Sequence, residues 1–175
     1  MSGPQRREWL SGSRMADSEL NEDFADMLRA LHAARAEFII VGAHALAAHG
    51  MPRATGDIDI LVRPEAGNAA RVMVALRTFG APIDAHGVTQ ADFEQPGCVY
   101  QIGLPPRRID LITEITGVTF DEAWGSRIAA RLAGVEVAVL GREELIRNKR
   151  AAGRDKDLVD ARWLETNLRA ADPAQ

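Results

Sequence analysis

The stretch Thr55-Gly56-Asp57-Ile58-Asp59-Ile60-Leu61-Val62 constrains the fold of this chain more than any other. Residues i and i+2 of a β-strand share a face. Asp57 and Asp59 therefore project together, while Ile58 and Ile60 project into a core. Two carboxylates at ~5 Å, in an effective dielectric of ~20, repel by about 3 kcal/mol. A strand set in a core carries such a pair only with compensation. A divalent cation supplies it, since Mg²⁺ takes oxygen ligands and is commonly held by one or two carboxylates plus substrate phosphates. The plainer alternative is that one aspartate caps the strand and the other is solvated on an edge.

The preceding residues bear on that choice. Phe38-Ile39-Ile40-Val41 is a continuous apolar run and predicts a buried strand. It stops at Gly42, and residues 43–49 predict a short helix ended by Gly50 and Pro52. Strand, glycine, helix is an anion-binding arrangement. The helix N-terminus offers free N–H groups, and a glycine lets a phosphate approach the backbone. Gly42 and Ala43 are thus candidate phosphate contacts, although many turns of this kind bind nothing. The loop that follows carries Arg53 and Thr55 toward the aspartates. Arg53 either neutralises phosphate or pairs with an acidic neighbour. His44 and His49 are five residues apart, which does not place them as a metal pair on one helix face. They read as surface or loop-packing residues.

Later in the chain the pattern of the aspartates recurs. Residues 98–102 and 108–112 read as strands paired in a hairpin around Leu104-Pro105-Pro106, and Asp110 sits between apolar neighbours like Asp57 and Asp59. Three carboxylates converging on one face of a mixed sheet suit a two-metal site for phosphoryl transfer. Such transfer depends mainly on positioning and charge neutralisation.

The remaining elements frame this centre. Residues 1–16 read as a loosely ordered leader and 17–170 as a single domain. Leu20, Phe24, Met27, Leu28 and Leu31 form one helical stripe, capped by Asp17 or Ser18. Arg63-Pro64 closes the aspartate strand and opens a helix with proline in its first turn, running to about Phe79. Residues 90–94 and 120–124 read as helical turns. Residues 128–132 and 135–140 read as a strand pair around Gly134. Residues 143–152 and 156–169 predict two helices broken at Gly153, with Leu158, Ala161, Leu164 and Leu168 as the buried stripe of the last. The fold class is α+β: a mixed sheet with flanking helices and a C-terminal helix pair.

Composition argues against several functions, although a local basic patch stays open. A net charge of −4 argues against a general nucleic-acid binder held by long-range attraction. Aromatic residues are only 5% of the chain, too few for a base-stacking platform. No apolar run approaches the ~20 residues of a membrane span, and Met1 to Arg7 lack the apolar stretch of a secretory signal. The single cysteine, Cys98, excludes an internal disulfide and fits a reducing, cytoplasmic setting. Cys98 reads as a small core thiol, with a nucleophile as the alternative.

Together, Val41-Gly42-Ala43, a spacer of thirteen residues, Asp57-Ile58-Asp59-Ile60 and a later Asp110 resemble the signature of the nucleotidyltransferase superfamily, the DNA polymerase β-like fold. The resemblance covers roughly residues 36–168. The tail Asn148-Lys149-Arg150-Ala151-Ala152-Gly153-Arg154-Asp155-Lys156-Asp157-Leu158-Val159-Asp160 is similar to that of small bacterial members near the AbiEii-type toxins and the minimal nucleotidyltransferase antitoxins. The resemblance implies that Asp57, Asp59 and Asp110 hold Mg²⁺ or Mn²⁺, with Asp110 as ligand or base. It implies that Gly42 and Ala43 meet the triphosphate of an NTP, that Lys149 reaches a phosphate, and that Arg53, Thr55, Arg154 and Lys156 line the nucleotide site. The acceptor would be a hydroxyl of a tRNA 3′ end, a protein or a small molecule, and the partner a cognate toxin or antitoxin. Ala43 departs from the family pattern, which has glycine or serine there. Its N–H survives, but a hydroxyl contact is lost. The alternative for Lys149, Arg154, Lys156, Asp157 and Asp160 is a solvated helix face laced by ion pairs. The alternative function is a nucleotide- or partner-binding module without turnover.

Overall fold

The structure, a computed structural model, describes residues 15–51, 53–104 and 107–167. Most of the expected leader, the proline turn at residues 105–106 and Leu168 fall outside them. Among the described residues the apolar runs become six strands: β1 (Phe38–Val41), β2 (Ile58–Val62), β3 (Val99–Leu104), β4 (Arg107–Ile112), β5 (Ile128–Leu132) and β6 (Val135–Val139). They form one sheet in the order β3-β4-β2-β1-β6-β5. Its pairings are mixed. β1 runs antiparallel to β2, whereas β2 with β4 and β1 with β6 are parallel. The hairpins β3–β4 and β5–β6 form the two wings. The two central strands come from the most apolar runs, and Ile39, Ile40, Ile58 and Ile60 are fully buried.

Among the described residues, six α-helices accompany the sheet: α1 (Met15–Ala33), α2 (Gly42–Ala48), α3 (Ala66–Phe79), α4 (Phe120–Ser126), α5 (Arg142–Ala152) and α6 (Asp155–Thr166), with a short 3₁₀ turn at Gln90–Phe93. From Phe24 onward the α1 stripe packs as its periodicity requires, with Phe24, Met27, Leu28 and Leu31 buried against the core, while the Leu20 side chain lies outside the described residues. The break between α5 and α6 falls at Gly153, which caps α5 in the left-handed conformation at φ 69°. No helix among the described residues is long and apolar enough to cross a membrane.

Three expectations need correction. α1 already includes Met15 and Ala16, both good helix formers, so Asp17 and Ser18 lie within the helix and not at its start. Pro64 does not enter α3; the helix starts at Ala66 with Glu65 as its N-cap. A hydrogen-bonding side chain explains the delay. Asn68, almost fully buried, donates to the carbonyls of Glu37 and Arg63 and accepts from the Glu37 N–H, tying the first turn of α3 to the chain around β1 and β2. The buried face of α6 is also not the apolar stripe expected. Ala161 and Leu164 are buried, but Leu158 is only half-buried, and Asp157 and Asp160 fill the rest of that face.

Candidate active site

The β-strand register brings the carboxylates together. Asp59 pairs directly with Asp110 across the parallel β2–β4 ladder, and Val41, at the end of β1, pairs with Asp59 on its other side. Asp57 precedes β2 by one residue and lies on the Asp59 face. A cleft of about 350 Å³ opens there. Gly42, Ala43, Arg53, Thr55, Asp57, Asp59, Asp110, Lys149, Arg154 and Lys156, all named from the sequence, line it. Leu46, Arg108 and Asp160 complete the wall. A larger cleft of about 520 Å³ lies at the opposite ends of β2 and β4. There Arg63 stacks 4.4 Å from the Phe120 ring centre and pairs with Glu37 and Asp121. None of the candidate site residues named from the sequence lines that cleft, so the smaller one is the functional candidate.

Arg108 is the residue that sequence reasoning missed. Its Nε donates to Asp110 Oδ1 at 2.6 Å and its Nη2 to Asp110 Oδ2 at 3.0 Å, a bidentate pair. The same Nη2 lies 3.6 Å from Asp57 Oδ2, and the Arg108 N–H donates to Asp57 Oδ1 at 3.1 Å. The signal was present in the sequence. Arg108 is two residues before Asp110 on one strand, the spacing that placed Asp57 with Asp59.

Asp59 has no such relief. It accepts no hydrogen bond and forms no ion pair with the described residues, and its carboxyl is pushed up to about 6 by burial and then by the charges of Asp110 and Asp57, against the weaker pull of Arg108 and Lys149. Three carboxylates, one of them unpartnered, match a hard divalent cation in chemistry. As the side chains stand, no three His, Cys, Asp or Glu among the described residues are gathered closely enough to hold a metal, and the Arg108 guanidinium pairs with both Asp57 and Asp110.

The backbone and a neighbouring side chain both require glycine at position 42. Its φ of 68° is left-handed, and a Cβ there would lie 2.3 Å from Asp59 Oδ2. The carboxylate therefore rests against the bare backbone of the β1–α2 turn. Gly42→Ala is expected to cost about 2–3 kcal/mol, from the left-handed strain plus the collision. In an Asp59→Ala background the collision disappears, so the cost should fall toward the strain alone. Urea melts of the four proteins in this cycle measure it, and equal costs in both backgrounds would refute the packing of Asp59 on Gly42.

The tail residues meet in a buried network, which overturns the solvated-face reading for three of them. Lys149 is 9% exposed, Asp157 and Asp160 1% each. Lys149 Nζ reaches Asp157 Oδ1 at 2.9 Å and Asp160 Oδ2 at 3.2 Å. Arg154 pairs with Asp157 from α6's N-cap position, and Arg53 crosses from the loop to Asp160. Burial alone would raise the Asp157 carboxyl; the hydrogen bonds from Arg154 and Lys149 outweigh it and hold it below the usual range. Lys149 has three N–H donors, and two carboxylate contacts leave one for the cleft. Lys156 is exposed at the cleft wall. Arg53 takes the acidic-neighbour option in this state. The Thr55 hydroxyl braces its own turn, accepting from the Asp57 N–H at 3.2 Å.

The histidines are packing residues. His49 Nε2 donates to the Leu140 carbonyl at 2.8 Å. His44 lies edge-on to Phe24, and burial lowers its pKa against a hydrogen bond to the Asp57 backbone. Cys98 is half-buried, its thiol pushed up by burial and by Asp92, which disfavours the thiolate a nucleophile needs.

The chain has the nucleotidyltransferase fold. Three solved structures align with it at TM-scores of 0.50–0.53. One is a protein from Thermotoga maritima proposed to be a nucleotidyltransferase, 14% identical, with 87% of this chain and 94% of that chain covered at a TM-score of 0.51. The antibiotic-resistance factor ANT(2'')-Ia is 16% identical, with 90% and 87% covered and a TM-score of 0.53. An antigenic nucleotidyltransferase-like protein from Paracoccidioides brasiliensis is 17% identical, with 89% and 78% covered and a TM-score of 0.50. No protein-family model and no curated protein matches the sequence.

Proposed function

We propose that the protein is a metal-dependent nucleotidyltransferase that moves an NMP from an NTP onto a hydroxyl. The acceptor oxygen forms a bond to the α-phosphorus, the bond from that phosphorus to the bridging oxygen breaks, and pyrophosphate leaves. The hydroxyl proton passes to Asp110 or to solvent. The observation that carries this reading is the register of Asp59 against Asp110 at a cleft whose other walls are the Gly42 turn and the cations of α5 and α6.

Asp57, Asp59 and Asp110 would hold Mg²⁺ or Mn²⁺, which supplies charge neutralisation at the reacting phosphate and activation of the attacking oxygen. Gly42 and the Ala43 N–H would face the triphosphate at the start of α2. Lys149, Arg154 and Lys156 would balance its outer charge, and Arg53 would join them on leaving Asp160. The tail pattern from Lys149 to Asp160 supports kinship with the AbiEii-type and minimal nucleotidyltransferase group, and with it a cytoplasmic role beside a cognate toxin or antitoxin. Acceptors open to this site are an RNA 3′ end such as that of tRNA, a protein side chain and a small molecule.

The test is incubation with each labelled NTP, Mg²⁺ or Mn²⁺, and total RNA or cell extract. Labelled acceptor is expected from wild type. Asp57→Asn should lose at least about 10²-fold, since a metal-held charge is worth several kcal/mol in such a transition state. Near wild-type turnover by that variant at saturating metal would show the site to be misassigned. Ala43 and the Arg108 bridge favour a second reading, a binding module without turnover. It predicts NTP affinity with no labelled acceptor under any metal.

A further inference from the structure

Arg108 engages four oxygens that a metal at this site would need. Its guanidinium takes both oxygens of Asp110 at 2.6 and 3.0 Å, and its N–H and Nη2 take Asp57 Oδ1 and Oδ2 at 3.1 and 3.6 Å. Gln101 lies at 3.5 Å from Asp110 Oδ2 as a weaker donor. Asp59 alone is left free of such bonds. A guanidinium has no lone pair to offer a metal and does not deprotonate in proteins. It therefore cannot share these carboxylates with a cation at close range or give up its charge there. It can only move, and its side chain, 24% exposed, opens on the cleft.

We propose that Arg108 is an internal counter-ion that competes with the divalent cation for Asp57 and Asp110, so that metal enters only by displacing the guanidinium. This rests on the nucleotidyltransferase reading. Arg108 is on this account a positioning residue: it acts through the carboxylates. Two physical consequences follow. The metal-free cleft is spared most of the repulsion that three adjacent carboxylates would otherwise carry, except at Asp59. Metal affinity in the absence of nucleotide is held low, because each metal–carboxylate contact replaces an existing charge-assisted bond.

The test is Mn²⁺ binding to the metal-free protein without nucleotide, by calorimetry or by the spin-resonance signal of free Mn²⁺. Arg108→Gln is expected to bind Mn²⁺ about tenfold or more tightly than wild type, the scale of one lost charge-assisted pair. Its metal-free melting temperature should fall, and Mn²⁺ should restore more of it than in wild type. A merely structural role would loosen metal binding, not tighten it. Arg107→Gln removes the same charge from the neighbouring position on the other face of β4 and controls for net charge. It should change the affinity by less than about twofold, because Arg107, half-buried, pairs with neither Asp57 nor Asp110. Equal affinity in wild type and Arg108→Gln, or an equal gain in Arg107→Gln, overturns the proposal. Should Arg108→Gln fail to fold, Arg108→Lys keeps the charge but loses the fork. It must then bind Mn²⁺ more tightly than wild type, and no gain overturns the proposal. If neither wild type nor any variant binds Mn²⁺ even with a non-hydrolysable NTP analogue, the nucleotidyltransferase reading itself fails and takes this inference with it.

Discussion

Lys149→Met should melt on the order of 10 °C below wild type. The side chain keeps its volume and loses one charge, but that charge lies between two carboxylates that are each 1% exposed. Removing one partner of a buried ion pair costs about 3–5 kcal/mol, because the other is left uncompensated in low dielectric. Arg154 still reaches Asp157 and Arg53 still reaches Asp160, so the lower end of that range applies. At about 2–4 °C per kcal/mol for a chain of this size, the shift is roughly 10 °C. A solvated ion pair on a helix face is worth about 1 kcal/mol or less, and the measurement separates the two readings without any substrate. Asp157→Asn in the Lys149→Met background should recover part of the loss, since it neutralises a charge that has lost one of its cations. A melting temperature within about 2 °C of wild type for Lys149→Met would show that the network is not an energetic unit.

Asp59→Asn should abolish transfer and yet stabilise the metal-free protein at neutral pH. The two effects have one cause. In the native state the Asp59 carboxyl is pushed up to about 6 from an ordinary value of 3.8. The unfolded chain therefore ionises first as pH rises, and the native state binds more protons between those two values. Stability falls with pH across that window and then levels off above about 6. The shift corresponds to at most about 3 kcal/mol at pH 7, at about 1.36 kcal/mol per unit, and partial solvation of the carboxylate trims it. The asparagine variant carries no such penalty. Its melting temperature should exceed that of wild type by several degrees at pH 7, with the gap closing toward pH 4. Mn²⁺ should raise the wild-type value by mass action and help the variant far less. Melts in EDTA-treated buffer at constant ionic strength, from pH 4 to pH 8, measure the whole pattern. A variant that melts lower than wild type at pH 7 without metal would mean that Asp59 is a structural partner rather than a strained ligand. The expected opposition of activity and stability follows the general rule for charged active sites.

Much of the centre of this protein is legible in its sequence. A period of two specifies which side chains share a strand face, so the convergence of Asp57 with Asp59 follows from local geometry alone, and the same period put Arg108 on the face of Asp110, a signal the sequence reading passed over. The apolar run at residues 38–41 specifies a buried central strand, because only a sheet covered on both faces hides every residue of such a run. The glycine at 42 marks a turn, and the one at 153 a helix end, because each takes a positive φ that other residues resist.

What lay beyond the sequence is whatever depends on contacts between elements distant along the chain. That Asp59 stands level with Asp110 is a matter of strand order and register, and no periodicity in either strand contains it. That Gly42 must also make room for Asp59 depends on β1 lying next to β2. The tail is the clearest case. Lys149, Asp157 and Asp160 have the spacing of a solvated helix face, and local rules assign them to water. Tertiary structure buries them, because α5 and α6 pack against each other with these charges on the inner side and Arg53 closes over them from the loop. Charge pairs this far apart along the chain meet only when packing brings their elements together, and that step belongs to the folded molecule.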